Sequence, residues 1–375
     1  MTPRERFGAM MEFRRPDRPF IWTFETRQAT MDGWVKQGHP PVVRTCELLG
    51  YDWFDGIPLA TAHWPQFERR VVEERDGHVT YFDEEGALRM EGVDAQGSGF
   101  VTRKWLKFPV ESRNDFLAMT SRYNPEDESR RRPAFAGAVA GSHTSVRPVM
   151  FTVQGFYWTL RQWMGFEGLS LAFHDQPDLV DEMLEFVFDY NLRLMRAHIR
   201  EARVDVLMIN EDMAYKTASM VSPALAREKL VPRWRALAQE ARSLGARWVF
   251  VDSDGHISEL IPLWMEAGID GTSPVEIAAE QDILQYGAQY PAFRFFGGLD
   301  KRCLIYEESD VEREVLRKAE KLYARGGCPG SSHAQPGGRT ADICVAERPE
   351  SRSGPFVHPD SEPCTRKLLA EDHTN

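Results

Sequence analysis

The sequence predicts an α/β fold, a (β/α)8 barrel of the TIM type, on three observations. From residue 149 onward strand and helix patterns alternate, which favours a parallel sheet. Polar residues gather at successive strand ends: Asn210-Glu211-Asp212 follows Val206-Leu207-Met208-Ile209, and Asp252-Ser253-Asp254-Gly255-His256 follows Val249-Phe250-Val251. Such a barrel keeps its active site at the carboxyl ends of its strands. No G-x-G-x-x-G follows any strand pattern, so a dinucleotide fingerprint is absent.

The elements follow in order. Residues 5–13 have helical spacing and Pro16 ends them, after which residues 19–24 read as a short buried strand. Residues 71–90, with the turn Asp76-Gly77 inside them, read as a β-hairpin or meander, an insertion on the barrel over about 70–100. Met150-Phe151-Thr152-Val153 is a strand. Residues 177–202 form a helix with Leu179, Met183, Phe186, Val187, Tyr190 and Leu194 on one stripe. Ser222-Pro223 caps and starts the next helix, since serine accepts from free N–H groups and proline suits the first turn. Short strands are expected at 268–271 and 293–298. After Cys328 the hydrophobic pattern stops abruptly, and residues 329–375, rich in Pro, Gly, Ser and Arg, read as a poorly ordered aberrant tail. A shifted reading frame or truncated gene copy accounts for so sharp a stop; the rival reading is a natural disordered tail.

Composition narrows the function. The 375 residues carry 46 Lys+Arg against 57 Asp+Glu, a net charge of −11, which argues against a nucleic-acid partner. The tight basic cluster, Arg130-Arg131-Arg132, reads as a solvated loop before Pro133. No run has the length of a membrane span and the N-terminus lacks a signal-peptide core, so no membrane is expected. Five scattered cysteines without a C-x-x-C pair fit a reducing cytoplasm.

The chemistry concentrates at strand ends. Residues two apart on a strand share a face, so Asp252, Asp254 and His256 point together if the strand stays extended, although Gly255 favours a turn. They suit general acid and base work, or a divalent cation. Asn210, Glu211 and Asp212 are more polar groups than a cap needs, and neighbouring acids raise one another's pKa. Tyr215 and Lys216 are placed for an anionic substrate group, Glu276 for the pocket wall, and Asp300 and Arg302 for a ligand beside Gly297-Gly298. Trp158 and other tryptophans suit the walls of a pocket for a flat substrate.

Several motifs together carry a resemblance. They are Arg14-Arg15-Pro16-Asp17-Arg18-Pro19, Phe108-Pro109-Val110-Glu111-Ser112-Arg113, Gly155-Phe156 before Trp158-Thr159-Leu160, Ser222-Pro223, Asp252-Ser253-Asp254-Gly255, Glu276, and Gly297-Gly298-Leu299-Asp300-Lys301-Arg302. In this order the chain, from about residue 3 to about 328, resembles the uroporphyrinogen decarboxylase superfamily, which includes methyltransferases that serve corrinoid proteins. The resemblance implies a (β/α)8 barrel, a catalytic aspartate at Asp52, and a substrate-binding arginine at Arg27 in Arg27-Gln28-Ala29. It also meets departures. Trp163 stands where the family has a tyrosine, Glu25 would repel a substrate carboxylate, and Asp252-x-Asp254 stands where the methyltransferase branch has a zinc-binding His-x-Cys pair.

The resulting expectation is decarboxylase-type acid/base chemistry, without cofactor, on a tetrapyrrole-related or other small substrate, through Asp52, Asp252, Asp254 and His256. The alternative is methyl transfer to or from a corrinoid protein, with a divalent metal such as zinc at Asp252, Asp254 and His256. A third reading is a non-catalytic or inactive member. A homodimer is compatible with any of them.

Overall fold

A computed structural model describes residues 1–22, 28–38, 41, 46, 50–93, 103–305 and 307–325. Helices α1 (Pro3–Met11) and α2 (Gln28–Lys36) precede a two-residue strand β1 (Asp55–Gly56). An antiparallel sheet follows, formed in order by β2 (Arg70–Arg75), β3 (His78–Phe82), β4 (Leu88–Gly92) and β5 (Lys104–Lys107). The hairpin expected at Asp76-Gly77 is present, with both residues at positive φ as a tight turn requires, and β5 adds a strand beyond the expected insertion. Next come α3 (Arg113–Thr120), α4 (Phe135–Ser142), β6 (Val149–Gln154), α5 (Phe156–Asp175), α6 (Pro177–His198) and β7 (Val206–Asn210). The chain continues through α7 (Pro223–Lys229), α8 (Val231–Ser243), β8 (Trp248–Asp252), α9 (Ile261–Glu266), β9 (Gly271–Val275), α10 (Ile283–Gln289), β10 (Arg294–Gly297) and α11 (Glu308–Arg325).

Strands β1-β6-β7-β8-β9-β10 form one parallel sheet in that order, with helices in the crossovers between them. The α/β class with a parallel sheet is therefore present, but no pairing closes β10 onto β1 among the described residues. Two expected strands differ. Pro19–Trp22 forms no ladder, although the Asp52 N–H donates to the Ile21 carbonyl at 2.7 Å, and residues 23 and 24 lie outside the described residues. The strand expected at 268–271 instead begins at Gly271, because Gly268 at φ +77° turns the chain out of α9. The tail at 329–375 lies outside the described residues.

Strand alternation splits the apolar residues between the two faces of the sheet. On one face Val206, Met208, Trp248, Phe250 and Phe296 pack with Phe54, Phe20, Trp22 and the Phe7, Met10 and Met11 side chains of α1. The Phe7 ring meets Phe20, Phe54 and Trp248 edge-on at centroid distances of 5.2, 5.0 and 5.3 Å. On the other face Phe151, Val153, Leu207, Ile209, Val249 and Val251 join the helices in a larger core. The helix α1 thus plugs one end of the inner face, and the polar strand ends lie beyond the aromatic layer.

The amino end of the sheet is held by ion pairs. Arg4 donates to Asp205 at 2.8 Å, and Asp205 also accepts the Val149 N–H at 2.7 Å, so α1 is tied to the start of β6. Arg6 donates to Asp52 at 2.7 Å and to Asp17 at 2.9 Å, and Arg18 reaches Asp52 at 2.6 Å. Arg6 holds the Asp17 carboxyl well below the usual carboxylate range. Asp52 is 3% exposed and also accepts the Ile21 N–H.

This corrects the catalytic role expected of Asp52. It precedes β1, whose Asp55 pairs with Val149 at the start of β6, so it lies at the amino end of the sheet. Asp252 ends β8 at the opposite edge. Arg130 is a second correction. It is fully buried, and donates to the Asn124, Ala60, Ala62 and Arg122 carbonyls, knotting the segments before α3 and α4 together.

Asp52→Ala removes the carboxylate that Arg6 and Arg18 share and leaves Arg6 only Asp17 as an ion-pair partner. The expected outcome is a loss of about 3–5 kcal/mol of stability in chemical denaturation, with the site at the far end of the strands unchanged.

Candidate active site at the carboxyl ends of the strands

The inner-face alternation that places Trp248 and Phe250 in the aromatic layer carries Asp252 to the top of that face, and the same rule carries Asn210 there after Val206 and Met208. The registers align these ends: Gln154 pairs with Asn210, Asn210 with Asp252, and Asp252 with Ser273. A row Gln154–Asn210–Asp252–Ser273 therefore crosses four strands above the aromatic layer. Gln154 and Ser273 were missed in the sequence. Gln154 is legible as the polar residue ending Met150-Phe151-Thr152-Val153, whereas Ser273 sits inside an apolar strand and only the register exposes it.

Asp252 is the one carboxyl of this row. Burial, with the nearby charges of Asp254 and Asp212, pushes its pKa up to about 8. Its Oδ1 is buried without a hydrogen-bond partner. The neighbouring cations are engaged elsewhere: Arg161 pairs with Asp212 at 2.7 Å, and Lys301 with Glu276 at 3.2 Å. With no cation paired to it among the described residues, burial favours the proton-bearing form of Asp252. Its native pKa lies above the unfolded value, so native Asp252 binds the extra proton. Its contribution to stability therefore falls as pH rises from about 4 to about 8.

His256 does not join the aspartates. Gly255 at φ +82° turns the chain, and a Cβ there would lie 2.5 Å from the Ala214 carbonyl oxygen. The His256 Nδ1 faces the Ala279 carbonyl at 2.9 Å, which makes Nδ1 the protonated nitrogen, and its N–H donates to the Tyr215 carbonyl. Among the described residues no three His, Cys, Asp or Glu side chains come together as a cation site. The set Asp252, Asp254 and His256 therefore does not fit the expected zinc.

Glu211 also departs from its expected role. It follows Asn210 and so turns to the helix side, where it is fully buried. Its carboxylate accepts the Phe156, Tyr157 and Trp158 N–H groups of α5 at 2.9, 2.8 and 3.1 Å, and the Trp234 indole N–H at 2.6 Å. Burial pushes its pKa up to about 7, while these four donors pull it back. Gly155 makes room: a Cβ there would lie 2.3 Å from the Glu211 carboxyl carbon.

The remaining expected residues divide. Glu276 accepts the Gly255 N–H at 3.1 Å and pairs with Lys301, bracing the loop after β8. Trp158 lies beneath the Arg161 guanidinium at 4.7 Å, so Trp158, Arg161 and Asp212 form one wall beside Asp252. Tyr215 is 68% exposed on a surface loop. Asp300 and Arg302 pair with each other at 2.7 Å and border a groove of about 620 Å3 against α11 whose lining does not include Asp252. Arg27 lies outside the described residues. Tyr157, which carried no sequence signal, is buried with its hydroxyl unpartnered, and burial raises its pKa to about 12.

Comparison with known proteins bears on this geometry. No protein family's sequence profile matches the chain, and no curated protein matches it by sequence. Among solved structures, a methyltransferase from Methanosarcina mazei superposes with a TM-score of 0.61 at 13% identity, over 92% of this chain and 97% of that one. At that identity the likeness is one of fold. A 2,3-dimethylmalate lyase of the PEP mutase/isocitrate lyase superfamily aligns over 56% and 57% of the two chains at 12% identity, with a TM-score of only 0.23. No helix among the described residues is long and apolar enough to cross a membrane.

Glu211→Ala strands four buried donors. The expected outcome is a loss of at least about 3 kcal/mol in denaturant unfolding, and a lowered melting temperature. A residue that only bound substrate would leave both unchanged.

Proposed function

We propose that the chain is a methyltransferase on a (β/α)8-type barrel, moving a methyl group from a small heteroatom-bound donor to a corrinoid carried by a separate protein. The observation that carries the reading is the fold correspondence with the Methanosarcina mazei methyltransferase, which spans nearly the whole of both chains. The resemblance to the superfamily that holds corrinoid methyltransferases points the same way. Decarboxylation has no comparable support, since Arg6 and Arg18 are bound to Asp52 at the opposite end of the sheet.

The chain's own residues supply an acid. When the donor's heteroatom–methyl bond breaks, the electron pair stays on the heteroatom and the Asp252 proton moves to it. A carboxyl that keeps its proton near neutrality is suited to that transfer. The corrinoid supplies the nucleophile that takes the methyl group when its carrier docks over the strand ends. Trp158 and the Arg161–Asp212 pair wall the donor on one side, and the aromatic layer below keeps water from Asp252. Glu276 and Lys301 hold the loop that carries Asp254. Asp252, Asp254 and His256 do not gather around one point and so do not together hold a metal.

The test is methyl transfer from methoxyaromatic and methylamine donors to cob(I)alamin, followed by visible absorbance. Asp252→Asn should lower kcat by about 10²–10⁴-fold. Activity in the unsubstituted protein should be present below about pH 8 and fall as pH rises through it, because the active form is the protonated one. Undiminished transfer by the variant, or porphyrinogen decarboxylation without methyl transfer, would sink the reading.

A further inference from the structure

Among the described residues the antiparallel sheet β2-β3-β4-β5 has two open edges, and they differ in kind. An open edge is a row of unpaired backbone groups, and proteins usually protect it with charge. The β5 edge carries Lys104 and Lys107, like charges that discourage a second strand. The β2 edge carries Glu68-Arg69-Arg70-Val71-Val72-Glu73-Glu74-Arg75, and every one of these side chains is exposed. Read backwards, this segment has opposite charge at every charged position and valine at the centre. Set against an antiparallel copy, Glu68 meets Arg75, Arg69 meets Glu74, Arg70 meets Glu73, and Val71 meets Val72.

A regular strand could not use this pattern. A two-fold axis perpendicular to a sheet keeps each face on its own side, so paired residues must share a face, and residues three apart on a regular strand do not. Here the register shifts between Val71 and Glu73: Arg70 pairs with Phe82 and Glu73 with Thr80. Phe82 and Thr80 share a face of β3, so the bulge puts Arg70 and Glu73 on one face. Glu74 pairs with Val79, and Arg69 lies over the Tyr81 ring at 4.1 Å, so Arg69 and Glu74 share the other. The bulge thus makes the charge pattern usable on both faces. Among the described residues Glu68, Glu73 and Glu74 have no ion-pair partner within the chain. Val71 and Val72 are 45% and 52% exposed at the centre of the edge.

We propose that β2 is a self-recognition edge, through which two copies of this chain join their insertion sheets into one antiparallel sheet about a two-fold axis. Backbone hydrogen bonds provide the attraction, the valines its dry centre, and six cross-strand ion pairs its register. One strand pair buries little surface, so the dimer is weak and salt-sensitive.

Sedimentation velocity of the full chain, whose monomer mass is 43.0 kDa, tests this. The expected result is reversible dimerisation with Kd on the order of 10 µM, weakening as salt is raised. Glu73→Arg with Glu74→Arg makes the four charged residues flanking the valines all basic, and Arg69→Glu with Arg70→Glu makes those four all acidic. Each double variant should dimerise at least about tenfold more weakly, with an unchanged circular dichroism spectrum. An equimolar mixture of the two should associate again, because each then meets its complement. A wild-type monomer up to about 200 µM, a dimer indifferent to both reversals, or a mixture that stays monomeric would overturn the proposal.

Discussion

The Glu211 carboxylate closes the amino end of α5 from beneath, and the arrangement of the strand ends depends on that closure. Three consecutive helix N–H groups and the Trp234 indole converge on it, with Gly155 giving the passage. A helix N-terminus presents unsatisfied donors and a partial positive charge, so a buried carboxylate there meets both needs. The contact joins the end of β7 to the helix that follows β6. It also reserves the helix side for Glu211 and leaves the inner side to Asn210 and Asp252.

Three carboxyls, Asp52, Glu211 and Asp252, meet three different environments. Asp52 is met by two guanidinium groups and Glu211 by neutral N–H donors. Asp252 is met by neither, and with Asp254 and Asp212 nearby it keeps its proton. The first two arrangements stabilise structure at fixed charge. The third leaves a group whose proton can move near neutral pH, and carboxyls in that condition mark sites of proton transfer. Its place is the carboxyl end of a parallel sheet, where α/β enzymes gather their chemistry.

Much of this was legible before the fold was known. The strand patterns in the sequence put Asn210 and Asp252 at the ends of successive strands, and the Asp252-Asp254 proximity followed from spacing. Strand alternation, carried one residue past Asn210, would have turned Glu211 outward. His256 was lost because a single glycine at positive φ redirects the chain, and a spacing rule does not survive a turn. Asp52 was assigned by resemblance, but β1 starts three residues later, so the aspartate falls at the wrong end. Arg130 read as surface because three adjacent arginines look solvated; its carbonyl partners come from distant segments that no local pattern connects. Ser273 needed the register between strands, which local sequence does not encode.

The proposed chemistry rests on an Asp252 that carries a proton at neutral pH. Infrared difference spectroscopy between acidic and alkaline pH, comparing the protein with Asp252→Asn, reads that proton directly. The expected result is a protonated-carboxyl carbonyl band that persists at pH 7, disappears as pH rises through about 8, and is missing from the variant. If the band is already absent at pH 6, or is unaltered in the variant, Asp252 is an ordinary carboxylate and cannot be the acid.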